Sequence, residues 1–319
     1  MEVENRGTIK EKANFDDEAA AKRFKLAMKG LGSDEAAIIS LLVSHSSLQR
    51  QAIEEKYKKM YGRDLVDDLK DELGGHFEDA VVAMMTSPYS LLVDALHSAL
   101  SGAGTDADVL TEILCCRSTA DIESLSWWYE KRHGRTLDEA LEDDLNGDFR
   151  DLMRGLASGS REEEGPTDSA KARKDAQDLY DAGIGANAGS EESEFIAILN
   201  TRSFAQLNPT FQEYENISQE AIEESIKKEF SGDLMDGLLS IVKRVRDPPG
   251  FFAERLHNSI AGSGTDDKTL IRLLVSRSEV DLADIKPRYK ELFGSELYDD
   301  VKVDTSGDYQ KLLLAIIGK

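Results

Sequence analysis

The sequence predicts an all-α fold that is built from four repeats. A short glycine-rich stretch occurs four times, and an acidic residue follows each copy at the same distance. Apolar residues recur every three or four positions, as they do on one face of a helix, and no alternating strand pattern accompanies them. Four matched copies at one spacing indicate an internal repeat, whereas a single glycine-rich loop would indicate very little.

Each repeat is marked by a glycine and an acid that stand 40 residues apart. The four pairs are Gly32 with Glu72, Gly104 with Asp144, Gly189 with Glu229 and Gly264 with Asp304. The fourth copy of the loop, residues 260–267, reads Ile-Ala-Gly-Ser-Gly-Thr-Asp-Asp. Because the acid recurs with the loop, we expect the two to act together.

The chemistry of these loops favours a hard cation. Glycine adopts backbone conformations that are closed to other residues, so Gly262 and Gly264 can curl the chain until successive carbonyl oxygens point at one centre. Calcium takes about 6–8 oxygen ligands and accepts both carbonyls and bidentate carboxylates. Three loop carbonyls and one such acid supply about five oxygens, which leaves room for water or a lipid phosphate.

The candidate calcium ligands follow from the same reasoning in every repeat. They are Met28, Gly30, Gly32 and Glu72 in the first repeat, Leu100, Gly102, Gly104 and Asp144 in the second, Gly185, Gly189 and Glu229 in the third, and Ile260, Gly262, Gly264 and Asp304 in the fourth. The third loop is irregular and contains Asn187, and for this loop a cation site and a plain loop stay equally open.

The loops also start helices. A hydroxyl residue stands at the expected N-cap position of each copy, and an acid that suits the positive end of a helix follows it. These predicted N-caps are Ser33, Thr105, Ser190 and Thr265. For any one copy taken alone, a plain capped turn is the alternative to a metal site.

Along the chain, composition and periodicity predict six segments. In the first repeat, five apolar segments at helical spacing contain Phe24, Ile38, Ile53, Leu69 and Val81. A polar stretch rich in Gly and Pro predicts a linker between the second and third repeats. The expected segments are a tail at 1–14, repeats at 15–86 and 87–159, the linker at 160–169, and repeats at 170–245 and 246–319.

The charge balance restricts the partners. The 319 residues include 39 Lys and Arg against 62 Asp and Glu, which gives a formal net charge of −23. Such a protein is repelled by nucleic acid and by an acidic membrane. If its target is nevertheless an anionic bilayer, a multivalent cation has to lie between them, because a bound ion reverses the local sign of the field.

Targeting features predict a cytoplasmic protein that is peripheral on membranes in the presence of calcium. No stretch approaches the roughly 20 apolar residues of a membrane span, and the N-terminus lacks the apolar core of a secretory signal. The two cysteines, Cys115 and Cys116, are adjacent, and neighbours in a helical run rarely form a disulfide. We therefore expect free thiols in a reducing compartment.

Five segments of this sequence resemble the annexin family. They are Met-Lys-Gly-Leu-Gly-Ser-Asp-Glu at 28–35, Gly-Ala-Gly-Thr-Asp at 102–106, Gly-Ser-Gly-Thr-Asp-Asp at 262–267, Leu-Ile-Arg-Leu-Leu-Val-Ser-Arg-Ser-Glu at 270–279 and Asp-Thr-Ser-Gly-Asp-Tyr at 304–309. The resemblance runs from about residue 15 to residue 319. It implies four repeats of a five-helix bundle packed into a curved disc, with calcium loops on the convex face.

The resemblance also implies a function. Annexin-like proteins bind anionic phospholipid such as phosphatidylserine reversibly and only with calcium, so calcium is the expected cofactor and an anionic membrane surface the expected partner. Homo-oligomers on membranes and cytoskeletal or other protein partners stay open, and nucleic acid is not expected.

Other function classes are weaker or stay open. Enzyme chemistry finds little support, because the five histidines are scattered and no Gly-x-Ser-x-Gly elbow occurs. A calcium-indifferent helical scaffold for protein partners remains if the loops are only caps.

Ion conduction through a polar central pore is a further alternative that the resemblance implies. Glu112, Arg117, Arg272 and Arg277 match charged pore positions of the family, but Leu92 and Ala95 stand where acids are expected, so buried salt bridges between repeats are the safer interpretation.

Overall fold

The structure, a computed structural model, describes residues 6–30, 32–102, 104–184, 191–262 and 264–319. Over these ranges it contains twenty α-helices and no β-strand. The predicted all-α class is therefore confirmed.

The helices follow one another in four sets of five, and the fourth helix of every set has eight residues. The first set is α1 (Asp17–Ala27), α2 (Glu35–Val43), α3 (Ser47–Tyr61), α4 (Leu65–Glu72) and α5 (Gly75–Met85). The second is α6 (Pro88–Ser101), α7 (Ala107–Leu114), α8 (Thr119–His133), α9 (Leu137–Asp144) and α10 (Gly147–Ala157). The third is α11 (Ser169–Ile184), α12 (Glu191–Thr201), α13 (Phe204–Ser218), α14 (Ile222–Glu229) and α15 (Gly232–Arg246). The fourth is α16 (Pro248–Ile260), α17 (Asp267–Arg277), α18 (Leu282–Phe293), α19 (Leu297–Asp304) and α20 (Gly307–Ile317).

The helical periodicity of the first repeat corresponds to its buried faces. Phe24, Ile38, Ile53, Leu69 and Val81 lie on five successive helices, and each is at most 1% exposed. Burying an apolar side chain of this size stabilises the fold by about 1.5–3 kcal/mol. The sequence therefore predicted both the number of helices in this repeat and their inward faces.

The chain forms two compact units. One unit contains the residues up to Leu91 together with Phe252–Lys319, and the other is Leu92–Phe251. The first unit thus joins the first and fourth repeats, where α2 and α5 pack against α17 and α20. In the second unit α7, α10, α12 and α15 pack together in the corresponding way. The second helices α7 and α17 pack against their own repeat and against a neighbouring repeat, and most of their residues are buried.

A buried arginine joins the two repeats of the first unit. Arg50 is 2% exposed. Its guanidinium donates hydrogen bonds to the carbonyl oxygens of Met84 (2.6 Å) and Leu42 (3.1 Å) and to the carboxylate of Glu279 (3.0 Å). The same carboxylate accepts the backbone N–H of Ser47 at 2.7 Å. Arg50 therefore links three acceptors, of which the Glu279 carboxylate is partly exposed, with its side chain at 25%.

The N-terminal segment lies against the fourth repeat, although its sequence is polar and short. The Ile9 side chain is 2% exposed, and its N–H donates to the Ser278 carbonyl oxygen at 2.9 Å. The Thr8 hydroxyl donates to the Ile316 carbonyl oxygen at 2.6 Å. At Gly7, an added Cβ would come within 2.2 Å of the Ser278 carbonyl oxygen, so only glycine fits there.

Two smaller expectations can also be checked. Cys115 and Cys116 are buried free thiols, as the sequence predicted. Over the described ranges, none of the helices has both the length and the apolar character needed to cross a bilayer.

Candidate metal centres at the loop and acid pairs

Three of the glycine-rich loops have the same construction. Each begins at a residue whose apolar side chain is buried, and the exposed fractions are 9% for Met28, 9% for Leu100 and 8% for Ile260. Each loop is then closed by one backbone hydrogen bond that spans seven residues. These bonds run from the N–H of Asp34 to Ala27 O (2.8 Å), from Asp106 to Ala99 O (3.1 Å) and from Asp266 to Ser259 O (2.8 Å).

The second glycine of each loop has a backbone conformation that favours glycine. The φ angles are 91° at Gly32, 112° at Gly104 and 111° at Gly264. In the fourth repeat, Gly262 and Gly264 face each other as an isolated antiparallel backbone pair. The loop therefore curls back on itself, as the sequence predicted for these glycines.

Replacing Gly104 by alanine should destabilise the protein through backbone strain alone. No atom lies within 4 Å of a Cβ added there, yet the φ of 112° is one that L residues rarely adopt. Such strain costs on the order of 1–3 kcal/mol. Urea unfolding in the presence of a calcium chelator measures it. Gly102→Ala is the matched control in the same loop, because its Cβ would lie at a contact distance of 3.4 Å from Gly104 O without a positive φ. Equal stability of the two variants would contradict the prediction.

The predicted helix N-caps were wrong by one residue. The caps are the aspartates Asp34, Asp106 and Asp266, and each side chain accepts the backbone N–H three residues ahead, at 2.9, 3.1 and 3.1 Å respectively. Aspartate caps a helix at least as well as serine or threonine does. The hydroxyl residues Ser33, Thr105 and Thr265 lie just outside the helix and are used differently, while Ser190 lies outside the described residues.

Two of these hydroxyls connect the loop to the distant acid. The Thr105 hydroxyl donates to Asp144 Oδ2 at 2.6 Å, and the Thr265 hydroxyl donates in the same way to Asp304 Oδ2. The residues of each pair are 39 positions apart in the chain. The structure therefore brings together the loop and the acid that the spacing had paired in the second and fourth repeats.

In the first repeat the hydroxyl has another partner. Ser33 donates to Glu35 Oε1 at 2.8 Å. Glu72 is exposed, whereas the bonded Asp144 and Asp304 are half-buried. In the third repeat Glu229 is exposed as well, and Gly185, Asn187 and Gly189 lie outside the described residues.

All four acids occupy the last position of a helix. Glu72, Asp144, Glu229 and Asp304 end α4, α9, α14 and α19. A negative charge at the C-terminal end of a helix opposes the helix dipole, at a cost of about 0.3–1 kcal/mol. Helix stability therefore gives no reason for an acid at this position in all four repeats, whereas a bound cation does.

A second glycine follows each acid, and its recurrence in all four repeats was not predicted from the sequence. It stands three residues after the acid, opens the fifth helix, and has a positive φ. These glycines are Gly75 (60°), Gly147 (59°), Gly232 (60°) and Gly307 (66°). The constant offset from the acid was a usable signal. The resulting turn keeps the helix that ends at the acid separate from the helix that follows.

An acidic cleft in the second unit connects two of the acids. The cleft has a volume of about 460 Å³, and both Asp144 and Glu229 line it, together with Thr105, Glu192 and Asp233. No basic side chain belongs to its lining. A cleft lined by one sign of charge concentrates counter-ions, here cations.

The first unit has a corresponding cleft of about 380 Å³, which Glu35, Glu72 and Asp308 line. Tyr309 also lines it. Burial raises the pKa of the Tyr309 phenol far above its ordinary value, and the carboxylate of Asp267, followed by those of Asp79 and Asp304, raises it further.

Side chains alone do not hold a metal anywhere in the described ranges, since no three His, Cys, Asp or Glu residues converge there. A cation bound beside Asp144 or Asp304 would need backbone oxygens as well. Carbonyl oxygens with one carboxylate form a donor set that suits a hard cation such as calcium.

Comparison with known proteins identifies the family. The family model for annexins matches residues 19–84, 92–156, 174–241 and 251–316. The chain belongs to the annexin family. Annexins are known as calcium-dependent phospholipid-binding proteins. The family membership that the sequence resemblance predicted is thereby confirmed.

Relatives of this annexin cover nearly all of its chain. Human annexin A4 is 45% identical over 312 residues, which are 98% of each protein. Annexin A11 of the rabbit, Oryctolagus cuniculus, is 46% identical over 316 residues, but the chain spans only 62% of that protein's length. Among solved structures, annexin III has a TM-score of 0.97 at 44% identity, covering 99% of this chain and 98% of its own. The structure of calcium-bound annexin (Sm)1 has a TM-score of 0.88 at 31% identity, with 99% and 93% covered.

Three of the four charged positions that the family resemblance had linked to a pore are buried in this annexin, and the fourth, Arg117, is half-buried. Glu112 is 3% exposed, and Arg272 and Arg277 are 6% exposed. Arg277 forms two hydrogen bonds with the carboxylate of Asp281, at 2.6 and 2.8 Å, within its own repeat. The expectation of a salt bridge between repeats therefore does not describe this pair.

Proposed function

We propose that this annexin binds anionic phospholipid membranes reversibly and only with calcium, through ions held at its loop and acid pairs. The observation that carries the proposal is the hydrogen bond from a loop hydroxyl to an acid 39 residues away, which occurs in two repeats. This bond supports the proposal because it places the acid beside the loop, and loop carbonyls with one carboxylate form a donor set that suits calcium.

The proposed ligands are the loop carbonyls and the partnered acid of each repeat. The sets are Met28, Gly30, Gly32 and Glu72; Leu100, Gly102, Gly104 and Asp144; Ile260, Gly262, Gly264 and Asp304; and, in the third repeat, Glu229 with Gly185 and Gly189. One acid in each set provides the charge, and the carbonyls complete a rim that leaves about two positions for other oxygens. A lipid phosphate oxygen would fill such a position.

Electrostatics supports the requirement for calcium. A net charge of −23 and acid-lined clefts repel an anionic bilayer. A divalent ion in each cleft reverses the local field and gives the phosphate a positive partner. Because calcium and lipid complete the same coordination sphere, each raises the affinity for the other by the same factor. The proposed role is non-catalytic, and the protein would move to membranes as calcium rises.

Vesicle sedimentation tests the proposal. Purified protein is mixed with vesicles of phosphatidylserine and phosphatidylcholine, in calcium or in EGTA, and with vesicles of phosphatidylcholine alone. We expect the protein in the pellet only with calcium and the anionic lipid together. Equal sedimentation in EGTA would contradict the calcium requirement. If calcium titrations gave the same affinity with and without anionic vesicles, this would contradict the proposed coupling between calcium binding and lipid binding.

A further inference from the structure

We propose that Thr105 and Thr265 are positioning residues, which orient the carboxylates of Asp144 and Asp304 for calcium and so make the second and fourth repeats bind it before the first. The inference rests on the proposed function and adds an order of filling to it. It is based on a difference between repeats in the hydrogen bond of the loop hydroxyl, which differs although the three loops share the same construction.

The hydrogen bond from the threonine hydroxyl leaves the carboxylate able to bind a cation. Each hydroxyl donates to Oδ2 only, in the pairs Thr105 with Asp144 and Thr265 with Asp304. An ionised carboxylate has about four lone-pair sites on its two oxygens. The hydroxyl occupies one of them, so enough sites remain for the carboxylate to bind an ion through both oxygens.

The bond also fixes where the carboxylate lies. Both threonines and both bonded aspartates are half-buried, which limits competition from water. Threonine is branched at Cβ, so its hydroxyl has fewer χ1 positions available than that of serine. An acid at the last residue of a helix would otherwise rotate freely into solvent.

The first repeat lacks this arrangement. Its hydroxyl belongs to Ser33 and is bonded to Glu35. Its acid is Glu72, which is exposed and has one more rotatable bond than aspartate. Calcium binding there has to order a side chain that the second and fourth repeats have already ordered, and this ordering costs conformational entropy. We expect this difference to weaken calcium binding in the first repeat by about 3–10-fold.

The test uses chains that keep a single intact loop and acid pair. Combining Glu72→Gln, Glu229→Gln and Asp304→Asn leaves only the second repeat, and Thr105→Val and Thr105→Ser are then added separately. Calcium affinity is measured by titration calorimetry with phosphatidylserine vesicles. We expect Thr105→Val to weaken binding about 3–10-fold and Thr105→Ser, which keeps the donor, to stay within about 2-fold. Thermal unfolding in EGTA should be similar for the two variants. If the role of Thr105 were purely structural, substitution would instead lower stability, and serine would not rescue the calcium affinity.

Unchanged affinity in Thr105→Val, or equal weakening by serine and valine, would overturn the inference while the proposed function stands. If the parent chain bound no calcium, or if Asp144→Asn in that parent left binding unchanged, the proposed function itself would fail at this loop, and the inference with it.

A second measurement leaves both threonines untouched and does not depend on how a threonine variant folds. Three chains each keep only the first, second or fourth pair, and their calcium affinities are compared. We expect the second and fourth to bind about 3–10-fold more tightly than the first. Equal or tighter binding by the first pair would overturn the order of filling.

Discussion

Calcium-dependent sedimentation with phosphatidylserine vesicles should disappear when the four helix-ending acids lose their charge. The variant combines Glu72→Gln, Asp144→Asn, Glu229→Gln and Asp304→Asn. Each change removes the only charged donor proposed for its loop, and calcium affinity depends strongly on the number of charged ligands. We expect the calcium concentration for half-maximal sedimentation to rise by at least about 100-fold. The helical circular dichroism should be unchanged, because the acids contribute nothing favourable to the helix ends.

A matched variant controls for the change in net charge. It replaces four exposed glutamates by glutamine and alters the formal charge by the same amount. The positions are Glu123, Glu130, Glu163 and Glu291. This variant should sediment at nearly the same calcium concentration as the parent protein. If both variants shifted equally, general acidity would explain membrane binding, and the loop and acid pairs would not.

The largest expected loss of stability follows from replacing Arg50 by methionine. Methionine has a similar length but no donors, so the carbonyl oxygens of Met84 and Leu42 and the carboxylate of Glu279 would lose a buried partner. Each buried acceptor left without its donor costs about 1–3 kcal/mol, so the two carbonyl oxygens and the partly exposed Glu279 carboxylate together should cost about 3–5 kcal/mol. Chemical denaturation in EGTA should show a loss of this size in the free energy of unfolding.

An exposed ion pair provides the comparison for this prediction. Arg135 contacts Asp143 at 2.7 Å, and their side chains are 39% and 73% exposed. Exposed pairs contribute about 0–1 kcal/mol, so Arg135→Met should leave the free energy of unfolding almost unchanged. If Arg50→Met were equally mild, the first and fourth repeats would not depend on this arginine for their packing in the first unit.

Helix content and loop position could be predicted because both depend on local chemistry. Apolar residues at helical spacing placed Phe24, Ile38 and Ile53 on inward faces, and the structure buries all three. Glycines at a constant distance from an acid predicted loops such as that of Gly104, whose φ of 112° the chain does adopt. Such patterns are visible because they repeat along the chain.

The N-cap error has a physical cause. In the sequence Thr105-Asp106, both side chains are good caps, so local preference does not separate them. In the structure the Thr105 hydroxyl is engaged by Asp144, which lies 39 residues away, and in the first repeat the Ser33 hydroxyl is engaged by Glu35. With that hydroxyl engaged, the aspartate caps the helix.

By itself the sequence determined the helical class, the fourfold repeat and the constant spacing between each loop glycine and an acid, because helical periodicity and spacing are properties of the chain in order. Tertiary structure alone decided which hydroxyl meets an acid, how Arg50 is satisfied, and that a polar tail packs through Ile9 and Gly7. These are contacts between side chains and backbone that stand far apart in the chain. Only the packing of the helices sets their distances, and no local pattern records it.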